Sequence, residues 1–174
     1  MASLIVILIG ILSRLAPHPA NVTAIGGLAL FTGARLSLKR STVTVLVTMF
    51  ISDLFLGFHS VMWATYGGML AGVFIGKYVV RERGVGWLVG GTLVSSVIFY
   101  LVTNFAVWYA PNTLYPKTLE GLWLSYVMAL PFFRNSLVGD LVYTPLFFAA
   151  YELVRSLRIK QSANEAMEIR TRRL

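Results

Sequence analysis

The chain has 174 residues, of which 57 % are hydrophobic and 13 % are charged, with a formal net charge of +8. An ordinary soluble domain is about one quarter charged, so a chain this apolar is predicted to lie in a lipid bilayer. The absence of cysteine excludes disulfides, thiol chemistry and Cys-ligated metals.

Six apolar segments follow one another along the chain, and each is predicted to form a transmembrane helix. They cover residues 3–15, 22–36, 41–58, 62–80, 85–108 and 137–157. A spanning helix takes about 20 residues, so six of them with their loops leave no room for a soluble catalytic domain. The predicted fold class is all-α: an integral membrane bundle of six transmembrane helices over residues 1–157, with a basic cytoplasmic tail at 158–174.

The connection between the fifth and sixth segments is the least regular part of the sequence. It opens with the turn-like run APNTLYPK at 110–117 and continues as the apolar stretch 119–133, which is short for a span. We interpret 109–136 as a helical or irregular excursion that enters the outer interface and returns to the same side. A seventh span at 119–133 is the alternative, and it would place the two chain ends on opposite sides.

Basic residues are distributed unevenly between the two sides of this predicted bundle. Twelve of the 15 Lys and Arg residues fall on one side, and only Arg14, Lys117 and Arg134 fall on the other. The positive-inside rule assigns the basic side to the cytoplasm. The prediction is a multi-pass protein of the cell (inner) membrane with both termini cytoplasmic. Basic clusters between apolar runs are typical of membrane topology, so nucleic acid is not expected as a partner.

Small residues recur at four-residue spacing in three of the predicted helices, the fifth carrying Gly86 and Gly90. The fourth helix carries Gly68, Gly72 and Gly76, and the second carries Ala29 and Gly33. This spacing lets another helix backbone approach closely. The pattern predicts either packing within the bundle or docking of a partner membrane protein.

Polar side chains gather near the outer ends of the predicted helices. Ionisable groups at membrane depth usually face a cavity, and a cavity with aromatic walls is the usual form of a small-molecule site. The predicted substrate-binding residues are Arg14, His18, Asn21, Asp53, His59, Asn104, Trp108 and Asn135. The predicted aromatic walls are Trp63, Tyr66, Phe105, Trp108, Tyr109, Tyr115 and Trp123, with residues 109–117 as a lid.

Two other interpretations of these polar residues stay open. Arg14 can pair with Asp53 or Asp140 as a structural bridge without any ligand, and Asp53 can serve as a proton relay. Two histidines without cysteine do not predict a metal site. The sequence has no phosphate-binding loop, zinc-protease motif or nucleophile elbow, so neither an enzyme nor a cofactor is expected.

Four segments carry a resemblance to a known family: RLAPHPANVTAI at 14–25, SDLFLGFH at 52–59, TNFAVW at 103–108 and ALPFFRN at 129–135. Together they resemble a family of uncharacterised bacterial membrane proteins related to the substrate-binding (S) components of energy-coupling-factor (ECF) transporters. The resemblance implies a six-helix S-component-like bundle that binds a vitamin or other micronutrient from outside. It also implies a separate transmembrane coupling protein and ABC-type ATPases as partners.

The leading hypothesis is a membrane-embedded substrate-capture subunit for uptake of a small molecule of vitamin or micronutrient type. One alternative is an accessory subunit of a larger membrane complex, in which the polar cluster only joins helices. A second alternative is a self-sufficient proton-coupled carrier.

Overall fold

Six helices make up most of the part of the chain that the structure describes. The computed structural model describes the backbone of residues 2–171, and their side chains except those of residues 2, 3, 163 and 166–171. The helices are α1 (Ala2–Leu15), α2 (Ile25–Arg35), α3 (Leu38–Leu56), α4 (Met62–Ile75), α5 (Val85–Tyr109) and α6 (Leu119–Thr171). Helix α4 continues directly as a π-helical stretch at Gly76–Val80. The described residues contain no strand, so the predicted all-α class with six helices is confirmed.

Helix α6 corrects the predicted excursion. It is one helix of 53 residues with Pro131 and Pro145 inside it. A proline in a helix removes one backbone hydrogen bond and normally ends or kinks the helix. Here the helix persists because Tyr126 and Phe133, on either side of Pro131, both pack against Tyr100, with ring centroids 5.6 and 4.6 Å from the Tyr100 ring.

Both the excursion and the separate seventh span at 119–133 are therefore wrong. That segment is the first part of α6 and runs directly into the predicted sixth helix. Residues 158–171, predicted as a tail, also continue α6.

Helix α2 forms the centre of the molecule. Of its 11 residues, all but Gly26 and Arg35 are buried. Glycine and alanine make up much of this helix, so α4 on one side and α6 on another can approach its backbone closely. Leu28 and Val73 are fully buried in the core.

The small-residue positions predicted in the second and fourth helices lie inside the bundle. A Cβ atom on Gly33 would overlap the Val73 carbonyl, and one on Gly76 would overlap the Leu30 carbonyl. Gly72 lies against Ser95 and Ala29, and Gly68 lies against Phe99. In this geometry these small residues serve packing within the chain.

Two of the described helices are long and apolar enough to cross a membrane. They are α5 and the Leu119–Ser162 part of α6, whose most apolar 18-residue stretches have mean hydropathies of 1.9 and 1.4. Helix α1 is apolar but has 14 residues, and α2 has 11. The structure thus supports six helices and membrane association through two of them, but it does not support six membrane spans.

Candidate functional site

A buried ion pair joins the ends of α1 and α3. Arg14 Nη2 lies 2.7 Å from Asp53 Oδ1, and their side chains are 14 % and 2 % exposed. Arg14 Nη1 also donates to Ser52 Oγ and to the Met49 carbonyl. Tyr66 of α4 donates from its hydroxyl to Asp53 Oδ2 at 2.8 Å. The structural bridge between Arg14 and Asp53 is therefore present, and it connects three helices.

Beside this ion pair lies a cavity of about 480 Å³. Every one of the six helices contributes to its wall. Its polar lining residues are Arg14, His18, Asn21, Thr23, Thr65, Ser95, Tyr100, Thr103, Asn104, Ser136 and Asp140. The volume lies in the range of small-molecule sites, which is about 300–1,000 Å³.

Four of the eight predicted binding residues line this cavity: Arg14, His18, Asn21 and Asn104. The turn from Pro19 to Val22 carries Asn21 into place, with the Val22 N–H donating to the Pro19 carbonyl. Asn21 has a positive φ of 64°, a conformation that asparagine tolerates better than most residues. Asn104 donates its amide N–H to the Tyr100 carbonyl one turn earlier, which fixes the orientation of its side chain.

The other four predicted residues do not line the cavity. Asp53 lies behind Arg14, and His59 is exposed between α3 and α4. Trp108 Nε1 donates to the Pro116 carbonyl, and Asn135 Nδ2 donates to the Ala20 carbonyl. Position along the sequence predicts near which end of a helix these side chains lie, but not the face of the helix on which they lie.

The aromatic wall also differs from the prediction. Its residues are Phe99, Tyr100, Phe132 and Phe133, and none of the seven predicted aromatic residues is among them. The predicted lid, residues 109–117, does not line the cavity either. Lys117 Nζ donates to the carbonyls of Trp108 and Ala110, so this connection is held against the end of α5.

Asp140 is the main cavity residue missing from the predicted site. It lies on α6, and Ser96 of α5 donates to its Oδ2 at 2.6 Å. Gly26 of α2 leaves space for this carboxylate, because a Cβ there would overlap Asp140 Oδ1. A signal was present in the sequence: Asp140 is the one acidic residue in the apolar run 137–151, where an ionisable group is costly.

One protein-family model matches residues 1–163 of the chain. The chain belongs to DUF6580, a family of unknown function. No curated protein and no solved structure matches it. Membership of DUF6580 therefore assigns no activity, substrate or partner.

The chemistry of this DUF6580 site is that of a binding cavity with polar groups and aromatic walls. Among the described residues, no group of three or more His, Cys, Asp or Glu side chains is placed to hold a metal ion. Hydroxyl groups from three helices and from the connection between α1 and α2 face the same space as one carboxylate and one guanidinium. Such a set can orient a small polar molecule by hydrogen bonds while the aromatic rings pack against its apolar parts.

Proposed function

We propose that this protein captures a small polar molecule in the cavity between its helices and serves as a substrate-binding subunit for uptake across a membrane. The observation that carries the proposal is the cavity of about 480 Å³ to which all six helices contribute. Small-molecule sites commonly lie between the helices of a bundle. In this proposal the protein binds its ligand without transforming it.

The membrane part of the proposal rests on the surface of the long helices. Only 22 % of the most apolar stretch of α5, and 17 % of that of α6, is buried inside the protein. A core helix of a soluble protein would bury its apolar side chains, whereas these face outward, where lipid can cover them. We propose six spans with both termini cytoplasmic, because that arrangement also satisfies the positive-inside rule.

The side of the membrane from which the ligand enters follows from the same topology. Arg14 and His18 lie at the end of α1 that the proposed topology exposes outside, and both line the cavity. Arg35 at the other end of the bundle pairs with Glu152 at 2.8 Å, far along α6 from the cavity residues. The proposed direction is capture from the outer face.

A capture subunit needs a source of energy for release of the ligand inside. The sequence has no nucleotide-binding motif, and it resembles relatives of ECF substrate-binding components. The proposed partners are therefore a transmembrane coupling protein and ABC-type ATPases, with a ligand of vitamin or micronutrient type.

The first prediction is that filling the cavity abolishes ligand binding. Ala129 lines the cavity, so Ala129→Trp places an indole in the ligand space. Purified protein in detergent is heated with a panel of vitamins and nucleobases, and the fraction that stays monodisperse is measured. At least one compound is expected to raise the melting temperature (Tm) of the wild type and to have no effect on Ala129→Trp.

The matched control is Ala150→Trp, because Ala150 is exposed on the same helix and does not line the cavity. It should respond to the ligand as the wild type does. Stabilisation that survives in Ala129→Trp, or a panel with no stabilising compound, contradicts the proposal.

One observation favours a second candidate, the proton-coupled carrier. Asp140 lines the cavity, and acidic residues in such positions relay protons in carriers. Asp53, the residue predicted for that role, is instead engaged by Arg14 and Tyr66.

Liposomes that contain this protein alone distinguish the two candidates, because uptake without ATPases identifies the carrier. Stable copurification with a complex that has no transport activity identifies the accessory role instead.

A further inference from the structure

Apart from the phenol of Tyr100, three ionisable side chains line the cavity: Arg14, His18 and Asp140. The charge that they offer to a ligand depends on what each already contacts. Arg14 is neutralised by the carboxylate of Asp53 at 2.7 Å, and its second terminal nitrogen is held by Ser52 and Met49. A guanidinium engaged in this way offers little to an anionic ligand.

His18 is exposed at the rim of the cavity, and its ring nitrogens face the protein backbone. Nδ1 lies 2.8 Å from the Pro19 carbonyl, and Nε2 lies 3.3 Å from the Arg14 carbonyl. A carbonyl oxygen only accepts hydrogen bonds, so a ring nitrogen can bond to it only when that nitrogen carries a proton. Any N–H group of the His18 ring is therefore directed at the backbone. His18 therefore contributes no anion-binding donor to the interior.

Asp140 is in the opposite situation. Among the side chains that the structure describes, no cationic group forms a salt bridge with it. Its hydrogen bonds come from the Gly27 backbone N–H and from Ser96, whose hydroxyl also lies 3.0 Å from the Thr92 carbonyl. A hydroxyl has one proton to donate, so Ser96 can satisfy only one of these acceptors at a time. A carboxylate in such surroundings gains strongly from a cationic partner.

The rest of the wall also suits a cation. The rings of Phe99, Tyr100, Phe132 and Phe133 line the same cavity as the carboxylate. The face of an aromatic ring attracts ammonium groups and repels anions. The hydroxyls of Ser95, Thr103 and Ser136 can accept hydrogen bonds from the N–H groups of such a ligand.

We propose that the ligand of this cavity is a small organic cation whose positively charged nitrogen binds the carboxylate of Asp140. This inference rests on the proposed binding function and adds its substrate class. The ammonium group replaces the cation that the protein does not supply, and the aromatic rings pack against the organic part of the ligand.

The test uses isosteres that differ only in charge. One set is tryptamine, tryptophol and indole-3-acetate, and the other is phenethylamine, 2-phenylethanol and phenylacetate. The full-length protein in detergent is titrated with each compound, and the shift in Tm and the dissociation constant are measured. The two amines should raise the Tm, while the alcohols and carboxylates should not.

Two variants test whether the amines bind through the carboxylate of Asp140. Asp140→Asn keeps the shape of the side chain and removes its charge, so the amines should bind about 10- to 100-fold more weakly. Glu120→Gln is the matched control, because it removes one negative charge from the exposed first turn of the same helix and should bind as the wild type does. The ranking of the isosteres on the wild type provides a test that does not depend on Asp140→Asn folding.

The possible outcomes separate this inference from the proposed function. The inference is overturned, while the capture function stands, if a neutral or anionic compound binds as tightly as its amine and no longer binds the Ala129→Trp variant. Amine binding that persists in Asp140→Asn also overturns it. If no compound of any charge, including the vitamins and nucleobases, binds the cavity, the capture function fails and the inference fails with it.

Discussion

Two aspartates lie in apolar surroundings in this protein, and they are stabilised in different ways. Asp53 has a guanidinium on one oxygen and a tyrosine hydroxyl on the other. Asp140 has a serine hydroxyl and the Gly27 backbone N–H, but no charged partner among the described side chains. The first carboxylate is fully engaged in joining three helices, whereas the second keeps capacity for a partner from outside the chain. This difference separates a structural residue from a candidate binding residue.

Loss of the Asp53 carboxylate is expected to destabilise the protein strongly. Asp53→Asn leaves the Arg14 guanidinium buried without a counter-charge, which costs about 3–5 kcal/mol in comparable buried pairs. Glu152→Gln removes the exposed partner of Arg35 and should cost about 0–1 kcal/mol. Thermal unfolding of the two variants in the same detergent measures the contrast. Equal Tm values for both would show that the buried pair does not support the fold.

At the scale of single residues, the sequence predicts near which end of a helix a side chain lies, but not which face of the helix carries it. Arg14 and Asp53 were expected near one another because both precede outer connections, and the ion pair forms. Asn104 faces the cavity, but Trp108, one helical turn later, turns to the Pro116 carbonyl. Which face of a helix meets the cavity depends on how neighbouring helices pack, and a single sequence does not contain that information.

Close backbone approach governs the packing of the helices. Gly33 of α2 lies against the Val73 carbonyl, and Gly76 at the end of α4 lies against the Leu30 carbonyl. Any larger residue at either position would separate α2 from α4. The four-residue spacing of small residues predicted such an approach, but only the structure shows that both partners belong to the same chain.

Substitution of these glycines by alanine should loosen the α2–α4 contact. Gly33→Ala and Gly76→Ala each force a methyl group into a backbone carbonyl, which typically costs about 1–3 kcal/mol. Gly90→Ala is the matched control, because a Cβ at Gly90 meets open space and alanine is the better helix former. The Tm should fall for the first two variants and stay equal or rise for the third. A stable Gly33→Ala would contradict the close approach.

The extent of α6 was the least predictable feature among the elements. Pro131 and the polar residues Arg134 and Asn135 are typical of a break in a helix. The contacts of Tyr126 and Phe133 with Tyr100 hold the helix together across that break. Because these contacts join residues far apart in the chain, local sequence patterns could not reveal them.

At the scale of the whole molecule, the number of helices and the all-α class followed from apolar periodicity alone. The topology in the membrane did not, because several helices are shorter than a bilayer core of about 30 Å requires. The four connections that precede α5 distinguish the two possible topologies. In a six-span chain they alternate between the two sides of the membrane, whereas in a chain that spans only with α5 and α6 they all lie on one side.

Single cysteines in this naturally cysteine-free chain test the topology directly. Ser60→Cys and Leu114→Cys should react with a membrane-impermeant maleimide in intact cells, because both positions lie on the proposed outer side. Ser37→Cys and Ser162→Cys should react only after permeabilisation, which also controls for accessibility at all four sites. Labelling of Ser37→Cys in intact cells, or failure of Ser60→Cys to label, would contradict six spans with cytoplasmic termini.

Pro131 has a mechanical consequence for the cavity. Proline removes the hydrogen bond to the carbonyl four residues earlier, so α6 bends most easily at this position. The neighbours Ala129, Phe132 and Phe133 are part of the cavity wall, so the hinge lies in the wall itself. The part of α6 before it, residues 119–130, is tied to α5, because the Tyr100 hydroxyl donates to the Tyr126 carbonyl and the Tyr126 hydroxyl donates to the Leu101 carbonyl. A bend at Pro131 would therefore move this segment together with the part of α5 that it contacts, and the cavity wall on α5 and α6 would shift as one unit.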